Sequence, residues 1–257
     1  MPEMAHPVLT FDRVRKRFPD GTVALAGIDL SVASGEFVSV VGPSGCGKST
    51  LLRIASGLTA ASDGAAVVHT DKLGYVFQDP TLLPWRTVQA NVELLAELDG
   101  VPKQQRRRRA DEAIALVGLS EFAGHRPRAL SGGMRMRVSL ARSLTLQPGL
   151  FLFDEPFGAL DEITRERLND ELLQLFLSQR FTALFVTHSV TEAVFVSTRV
   201  VVMSGRPGQV IGDFPVPFAY PRPPRLRFEE GFARLAGEVS ACLRGERQRP
   251  AEGIARR

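Results

Sequence analysis

The sequence has few cysteines and no long apolar run, and both shortages limit the classes of protein it can belong to. Its two cysteines, Cys46 and Cys242, are too few for a disulfide framework, which fits a reducing compartment. No apolar stretch approaches the roughly 20 residues that cross a bilayer, so we expect no transmembrane helix. The opening residues, Met1 to His6, lack the basic and apolar regions of a secretory leader, and we expect none. A role at a membrane would therefore depend on a partner.

Aromatic residues are scarce, at 7% of the chain, and this affects how its basic charge is interpreted. The net charge of +4 and the isoelectric point near 9.5 would suit a nucleic-acid-binding protein. Much of the excess lies in the run Arg106–Arg109 and in the C-terminal end, Arg244–Arg257. Surfaces that bind single-stranded nucleic acid typically have aromatic residues among the basic ones, and the first run has none. We therefore interpret that run as the solvated face of a helix.

What the sequence does contain is a glycine-rich stretch that matches G-x-x-x-x-G-K-[ST] at every fixed position. An apolar run over residues 37–41 precedes it, and a helix-forming run over residues 50–56 follows. The glycines allow consecutive backbone N–H groups to face one anion, and the helix adds its positive N-terminal end. This predicts nucleotide binding, against the alternative of a glycine-rich turn that binds nothing. The predicted binding residues are Gly42, Pro43, Ser44, Gly45, Cys46, Gly47, Lys48, Ser49 and Thr50.

Four polar side chains follow three other predicted strands. Asp154 ends an apolar strand and can hold Mg²⁺, and Glu155 beside it should point elsewhere because successive strand residues face opposite ways. A carboxylate there is placed to polarise a water at a γ-phosphate, although two acids can also cap the next helix. His188 ends a second strand and Gln78 a third, and each by itself has a merely structural interpretation. Together with the phosphate loop, they predict one polar edge of a parallel sheet.

A second anion-binding stretch begins at Ser131. The hydroxyl of Ser131 can cap a helix that runs to Leu146, and Gly132 and Gly133 leave the first N–H groups of that helix accessible. Two anion sites and one nucleotide suggest that the second site serves a neighbouring subunit.

The remaining pattern predicts an α/β fold with a helical insert between residues 81 and 145. Predicted strands cover residues 8–11, 24–32, 37–41, 64–70, 73–77, 150–153, 181–187 and 199–203. Predicted helices cover residues 50–56, 88–98, 110–117, 131–146 and 163–179. A proline-rich extended segment over 214–224 and a C-terminal helix with a basic end complete the chain.

Taken together, these stretches resemble the ATP-binding subunit of ABC transporters over nearly the whole chain. The resemblance implies a single ABC ATPase domain with a phosphate-loop NTPase core, a helical signature subdomain and an antiparallel β subdomain near the N-terminus. The implied boundaries place the core at 1–79 and 146–212, the signature subdomain at 80–145, and an extended segment with a C-terminal helix at 213–257.

The resemblance also implies a role for each motif, with ATP and Mg²⁺ as the bound species. Ser49, Gln78 and Asp154 would hold the metal, and Gln78 would also sense the γ-phosphate. Glu155 would be the catalytic base and His188 the switch histidine.

Three further elements of the family involve the nucleotide or a second subunit. The signature Leu130–Met134 would close on ATP held by another copy of the chain. Asp161 would belong to the D-loop. Phe18 matches the aromatic residue that stacks on adenine, although its spacing allows a role at the edge of the core.

Finer features resemble the branch that imports nitrate, sulfonates and taurine, with relatives for thiamine-pyrimidine precursors and riboflavin. They are Gln78–Pro80, Leu82–Trp85 and Arg206–Gly208. The branch implies a homodimer at the cytoplasmic face of the membrane, bound to a permease through Leu82–Trp85 and served indirectly by an extracytoplasmic binding protein. An exposed Trp-Pro surface also suits an interface anchor, and the alternative places Trp85 in the core.

Two departures and two alternative functions accompany this resemblance. Met136 replaces the usual glutamine of the signature helix, which removes a polar group that we expect near the composite site. Ser189 replaces the usual aspartate after His188.

The alternatives are a soluble ABC ATPase acting on nucleic acid or ribosomes, and an exporter half without its membrane domain. The absence of a tandem ATPase, a coiled-coil insert, an iron–sulfur domain or membrane spans argues against both.

Overall fold

The structure, a computed structural model, describes residues 7–245 and contains nine strands and seven α-helices in that range. The strands are β1 (Pro7–Arg17), β2 (Val23–Ala33), β3 (Phe37–Val41), β4 (Asp63–Val68), β5 (Leu73–Val76), β6 (Leu150–Asp154), β7 (Thr182–Thr187), β8 (Arg199–Met203) and β9 (Val210–Pro215). The helices are α1 (Lys48–Ala55), α2 (Val88–Leu98), α3 (Lys103–Leu116), α4 (Gly132–Leu144), α5 (Glu162–Gln179), α6 (Val190–Val196) and α7 (Glu230–Leu243). None of these helices is both long and apolar enough to cross a membrane.

The strands form two sheets, as the α/β prediction requires. The first is antiparallel, in the order β2-β1-β4, and the second has the order β5-β6-β7-β3-β8-β9. All neighbouring strands of the second sheet are parallel except β8 and β9. The α/β fold with an antiparallel sheet near the N-terminus is therefore confirmed.

The parallel strands are buried on both faces, which explains why they consist almost entirely of apolar residues. In β3, Val38 and Val40 belong to a core shared with α1 and the antiparallel sheet. Phe37 and Val41 belong to the opposite core, shared with α5 and α6. The large sheet is therefore the middle layer of the molecule, with one core on each face.

Helices α2, α3 and α4 pack together as the predicted insert, and α2 has the predicted bounds. Helix α3 begins seven residues before its predicted start. The prediction missed these residues because the run Lys103–Arg109 has no apolar periodicity. Arg106 in this run is only partly exposed and pairs with Glu93 at 3.3 Å. The interpretation of the basic run as a solvated face holds for Arg107 and Arg108, which are exposed.

Two elements were not predicted from the sequence. Helix α6 is only seven residues long and rich in valine, so its pattern is typical of a strand as much as of a helix. Strand β9 contains a glycine and ends in a proline, which places it at a sheet edge, and it pairs antiparallel with β8. Its last two residues are the first two of the predicted proline-rich segment. The basic end at residues 246–257 lies outside the described residues.

A buried arginine, Arg222, and the hydroxyl of Tyr220, which donates to the carbonyl oxygen of Val196 at 2.8 Å, attach the segment after β9 to α6. Nη1 of Arg222 donates to the carbonyl oxygens of Val194 at 3.1 Å, Phe195 at 2.7 Å and Ser197 at 2.8 Å. These carbonyls lie at the carboxyl end of α6, where helical partners are absent. The guanidinium also packs over the ring of Tyr220, and burial lowers the pKa of Arg222. Arg222 therefore supplies the C-terminal cap of α6.

Replacing Arg222 by alanine should lower the free energy of unfolding by about 3 kcal/mol, because several buried carbonyls lose their charged donor. Urea unfolding followed by circular dichroism measures this change. Arg225→Ala is the matched control, since Arg225 is exposed and has no recorded partner among residues 7–245. Equal midpoints for the two variants would show that the cap contributes nothing.

Candidate active site

The carboxyl ends of four neighbouring strands form one polar edge of the large sheet. These strands are β5, β6, β7 and β3, which lie side by side in that order. Gln78 follows β5 by two residues, Asp154 ends β6, His188 follows β7, and the loop at residues 42–47 follows β3. Ligands of open α/β sheets bind at this edge. The structure thus places these predicted side chains and the predicted phosphate loop on adjacent strands.

Two glycines shape the phosphate loop. Gly45 and Gly47 have φ angles of 75° and 108°, values that residues with a Cβ rarely adopt. A Cβ on Gly47 would also lie 2.7 Å from a methyl of Leu25 and 2.9 Å from the carbonyl oxygen of Ala24. Gly47 is the N-cap of α1, and no side chain of the described residues caps this helix. The first N–H groups of α1 therefore remain available to an anion.

Lys48 places a buried ammonium group at this loop. Its side chain is 4% exposed, and Nζ donates to the carbonyl oxygens of Gly42 at 2.8 Å and Pro43 at 3.1 Å. The third neighbour is Oε1 of Glu155, 3.6 Å away. A buried cation next to uncapped helix N–H groups favours a phosphate over any neutral ligand.

Asp154 and Ser49 offer two oxygen atoms side by side. The Ser49 hydroxyl donates to one carboxylate oxygen of Asp154 at 2.7 Å, and the Tyr75 hydroxyl lies 3.3 Å from the other. Burial, together with the Asp154 charge, raises the pKa of Tyr75, so this phenol stays protonated and donates. Within residues 7–245, Asp154 makes no ion pair that would neutralise its charge. The site therefore has unpaired negative charge beside a hydroxyl.

Glu155 contacts both the lysine of the phosphate loop, Lys48, and the histidine that follows β7, His188. The φ angle of Glu155 is 47°, so its backbone is no longer that of a strand. The rule that successive strand side chains point to opposite faces therefore does not apply to Glu155. One carboxylate oxygen faces Lys48, and the other lies 3.0 Å from Nδ1 of His188. The alternative that these acids cap the next helix is wrong, because Asp161 caps α5. His188 is 48% exposed, so it is not a core histidine.

A further arginine holds the outside of the phosphate loop. Arg206 donates from Nε and Nη2 to the carbonyl oxygen of Gly45, at 3.2 and 3.0 Å. Hydrogen bonds with Thr22 lower the pKa of Asp20, and the charge of Arg206 lowers it further. The turn containing Asp20 begins at Phe18, which is 37% exposed and belongs to neither core. The interpretation of Phe18 as a core-edge residue is therefore unsupported.

The second predicted anion site has the expected local geometry. The Ser131 hydroxyl accepts from the N–H of Met134 at 3.3 Å as the N-cap of α4. Gly132 and Gly133 lie against Leu160 and Thr164, which flank Asp161. Asp161 is exposed and accepts from the N–H of Thr164, which lowers the pKa of its carboxyl.

The two departures from the family pattern have different structural meanings. Met136 is 4% exposed and packs in the core, and the loss of a polar group near a composite nucleotide site stays a prediction. A helix residue five positions after the cap faces a different direction from the exposed N-terminus. Ser189 is the N-cap of α6 and accepts from the N–H of Glu192, a role that aspartate fills equally well.

This edge combines a phosphate loop, a buried lysine, a candidate metal-binding pair and a carboxylate bonded to a histidine. A model of the family described as ABC transporter matches residues 25–158. The chain belongs to the ABC transporter family. As an ABC ATPase it binds and hydrolyses ATP, and the family predicted from the motifs is confirmed.

Relatives of this ABC protein include importer subunits. It is 47% identical over 212 residues to the aliphatic sulfonates import ATP-binding protein SsuB 1 of Pseudomonas syringae, covering 82% of this chain and 86% of that protein. It is 43% identical over 214 residues to the bicarbonate transport ATP-binding protein CmpC of Synechococcus elongatus, covering 78% of this chain and 32% of that protein. Among solved structures, it resembles a dimeric post-hydrolysis state of the ATP-binding cassette MJ0796 bound to ADP and Pi. That similarity has a TM-score of 0.72 and 32% identity, over 82% of this chain and all of that one.

Sequence reasoning missed two side chains at the site of this ABC ATPase. Tyr75 lies inside a predicted strand, next to the buried Val76. The only local signal is the alternation of strand side chains, which places Tyr75 and Val76 on opposite faces of the sheet. The only sequence signal at Arg206 is its place in the Arg-Pro-Gly stretch of the family resemblance. Its contact with Gly45 joins positions 161 residues apart, and no spacing rule predicts such a pair.

Proposed function

We propose that this chain is the ATP-hydrolysing subunit of an importer, working as a homodimer on a permease at the cytoplasmic face of a membrane. The observation that carries the proposal is the 47% identity with an import ATPase over most of both chains. The transported solute is a small one, of the sulfonate or nitrate type or a pyrimidine or flavin precursor. An extracytoplasmic binding protein would deliver it to the permease. Nothing in the comparisons supports the alternative that acts on nucleic acid or ribosomes.

The residues at the sheet edge fit a magnesium ion. Mg²⁺ prefers oxygen ligands, keeps several waters, and is usually held by one or two carboxylates together with substrate phosphates. Asp154 supplies a mostly buried carboxylate that has no ion pair within residues 7–245, and Ser49 supplies a hydroxyl next to it. No larger cluster of metal-ligating side chains occurs in the described part of the chain. Asp154 and Ser49 would hold the ion with Gln78, which is exposed at the same edge, and the ion would neutralise phosphate charge.

The chain's own side chains then divide the work of hydrolysis. The N–H groups of the phosphate loop and Lys48 bind the phosphates of ATP and stabilise the charge that develops on them. Glu155 accepts a proton from the attacking water, and its contact with Lys48 directs the carboxylate at the phosphate end of the loop. His188 orients Glu155 through the hydrogen bond at Nδ1.

The homodimer would complete the site. Ser131, Gly132 and Gly133 of one copy would face the phosphates of ATP bound to the other copy, with Asp161 beside them. Ser131 is exposed, and Ile163 in the first turn of α5 is 82% exposed although it is apolar. The dimeric form of the similar cassette supports a homodimer.

The contact with the permease would use a preorganised loop around Trp85. Trp85 is 68% exposed, so the alternative that it belongs to the core is wrong. The fully buried Asn91 accepts from the N–H of Leu83 and donates to the carbonyls of Leu83, Arg86 and Thr87, at 2.8 to 3.2 Å. A rigid loop that presents an exposed tryptophan loses little entropy when it binds.

Replacing Trp85 by alanine should weaken binding to the permease by about 100-fold, as expected for a tryptophan at the centre of an interface. ATP hydrolysis by the isolated chain should be unchanged, because the loop does not contact the phosphate loop. The measurement is co-purification of the permease from detergent-solubilised membranes, with ATPase activity assayed in parallel. Phe228→Ala, another exposed aromatic at 87% exposure, is the control and should bind normally.

The experiment that tests the whole proposal is affinity purification of the tagged chain from native membranes. We expect a multi-span permease, with a soluble binding protein whose ligand can then be screened directly. Recovery of ribosomal proteins or nucleic acid without any membrane partner would overturn the importer and favour the alternative.

A further inference from the structure

Three buried polar atoms behind the candidate active site have no hydrogen-bond partner in the described residues. They are Oε1 of Glu192, Oδ1 of Asn169 and Nε of Arg165. A buried polar group without a partner costs free energy, so such groups are rare and need an explanation. The hydrolysis mechanism described above uses none of these three side chains.

Glu192 controls the backbone on both sides of His188. Its side chain is 6% exposed, and Oε2 accepts a hydrogen bond from the Thr187 hydroxyl. The same hydroxyl oxygen accepts from the N–H of Ser189 at 3.0 Å, and the Ser189 hydroxyl accepts from the N–H of Glu192 at 3.3 Å. Because Thr187 donates to Glu192, its lone pairs are directed to Ser189. The carboxylate therefore fixes the turn that carries the histidine.

The other side of Glu192 faces α5. Burial raises the pKa of the Glu192 carboxyl, while its neighbours Thr187, Asn169 and Arg165 lower it, so all three lie within electrostatic reach. Asn169 is 3% exposed. Arg165 donates from Nη2 to the carbonyl oxygen of Leu160 at 2.9 Å, directly before Asp161. Glu192 thus lies between the histidine turn and the start of α5.

We infer that Glu192 is a positioning residue that holds His188 against Glu155 and connects this histidine to the start of α5. The inference rests on the proposed role of His188. The imidazole is half-exposed, and its recorded hydrogen bond is the one to Glu155, so the direction of the ring depends on the turn beneath it. Asn169 and Arg165 lie on α5 within electrostatic reach of the far side of the carboxylate, and this proximity links the position of Glu192 to that of α5.

Glu192→Leu removes the acceptor while keeping a similar volume. We expect kcat for ATP hydrolysis to fall about tenfold, the loss that corresponds to one hydrogen bond of about 1.4 kcal/mol. The KM for ATP should stay within about twofold, since the phosphate loop is not affected. Glu192→Gln should restore kcat, because its amide oxygen still accepts from Thr187 and its amide nitrogen can donate to Asn169. Thr145→Val, which removes a buried hydroxyl at the far end of α4, is the control for general destabilisation.

A double-mutant cycle with His188→Ala separates positioning from a merely structural role. If Glu192 acts through His188, adding Glu192→Leu to His188→Ala should lower kcat by less than about twofold. If Glu192→Leu lowers kcat a further tenfold when it is added to His188→Ala, the inference is overturned. It is also overturned if the single variant Glu192→Leu has the same kcat as the Thr145→Val control. Should Glu192→Leu not fold, Thr187→Val interrupts the same link from its other end and must give the same two results.

The outcome also distinguishes this inference from the proposed function. If His188→Ala lowers kcat and both Glu192→Leu and Thr187→Val leave it unchanged, only the positioning role fails. If His188→Ala itself hydrolyses ATP at the wild-type rate, the role of His188 and the inference fall together.

Discussion

Replacing Glu155 by glutamine is expected to lower kcat for ATP hydrolysis by about 1,000-fold, the contribution of a well-placed general base. Glutamine keeps the size of the side chain but cannot accept the proton of the attacking water. It also removes the negative charge 3.6 Å from Lys48, which leaves that ammonium group free for phosphate. ATP should therefore bind at least as tightly as to the wild type, and the nucleotide-bound dimer should accumulate.

Single-turnover hydrolysis measures the loss of rate, and size-exclusion chromatography with ATP measures the accumulated dimer. Glu121→Gln is the charge-matched control, because Glu121 is exposed in the helical insert, away from the sheet edge. Hydrolysis by Glu155→Gln at the rate of this control would remove Glu155 from the mechanism. A loss of ATP affinity instead of rate would indicate a binding role.

Replacing Lys48 by alanine should raise the Kd for ATP by about 100-fold or more, since charge-assisted hydrogen bonds contribute roughly 1.5–3 kcal/mol each. The ammonium group is buried at the loop, and water replaces it poorly at such a position. Glu155 would lose the cation beside it, and its charge would then repel the γ-phosphate. The two effects act in the same direction on binding.

Equilibrium binding of a fluorescent ATP analogue, with unlabelled ATP as competitor, gives the Kd directly. Lys103→Ala is the matched control, because Lys103 is an exposed lysine at the start of α3. Undiminished affinity in Lys48→Ala would contradict the assignment of residues 42–50 as the phosphate-binding loop. Equal losses in both variants would instead indicate a nonspecific effect of charge.

Local patterns predicted much of the fold. The bounds of β3, α2 and β8 agree with the prediction, since each is a continuous apolar or amphipathic run between clear breaks. Helix α3 and strand β9 departed from it. A polar arginine run conceals the start of α3, and β9 exists only because β8 offers it a free edge.

The candidate site was accessible to sequence reasoning only in part. The strand-end residues Asp154 and His188 could be grouped because parallel strands share one carboxyl edge. The direction of Glu155 could not be predicted, because its positive φ interrupts the alternation of the strand. The burial of Met136 could not be predicted either, since its position in the motif gives no sign that it packs in the core.

The sequence by itself determined the phosphate loop, the family and the chemistry of ATP, because these depend on residue types at fixed short spacings. Only the tertiary structure decided which side chains support that chemistry. Glu155 meets Lys48 and His188, Arg206 meets Gly45, and Arg222 caps α6 across separations of 25 to 161 residues that no local pattern encodes. These contacts follow from strand order and from packing on both faces of one sheet, and both are properties of the assembled chain.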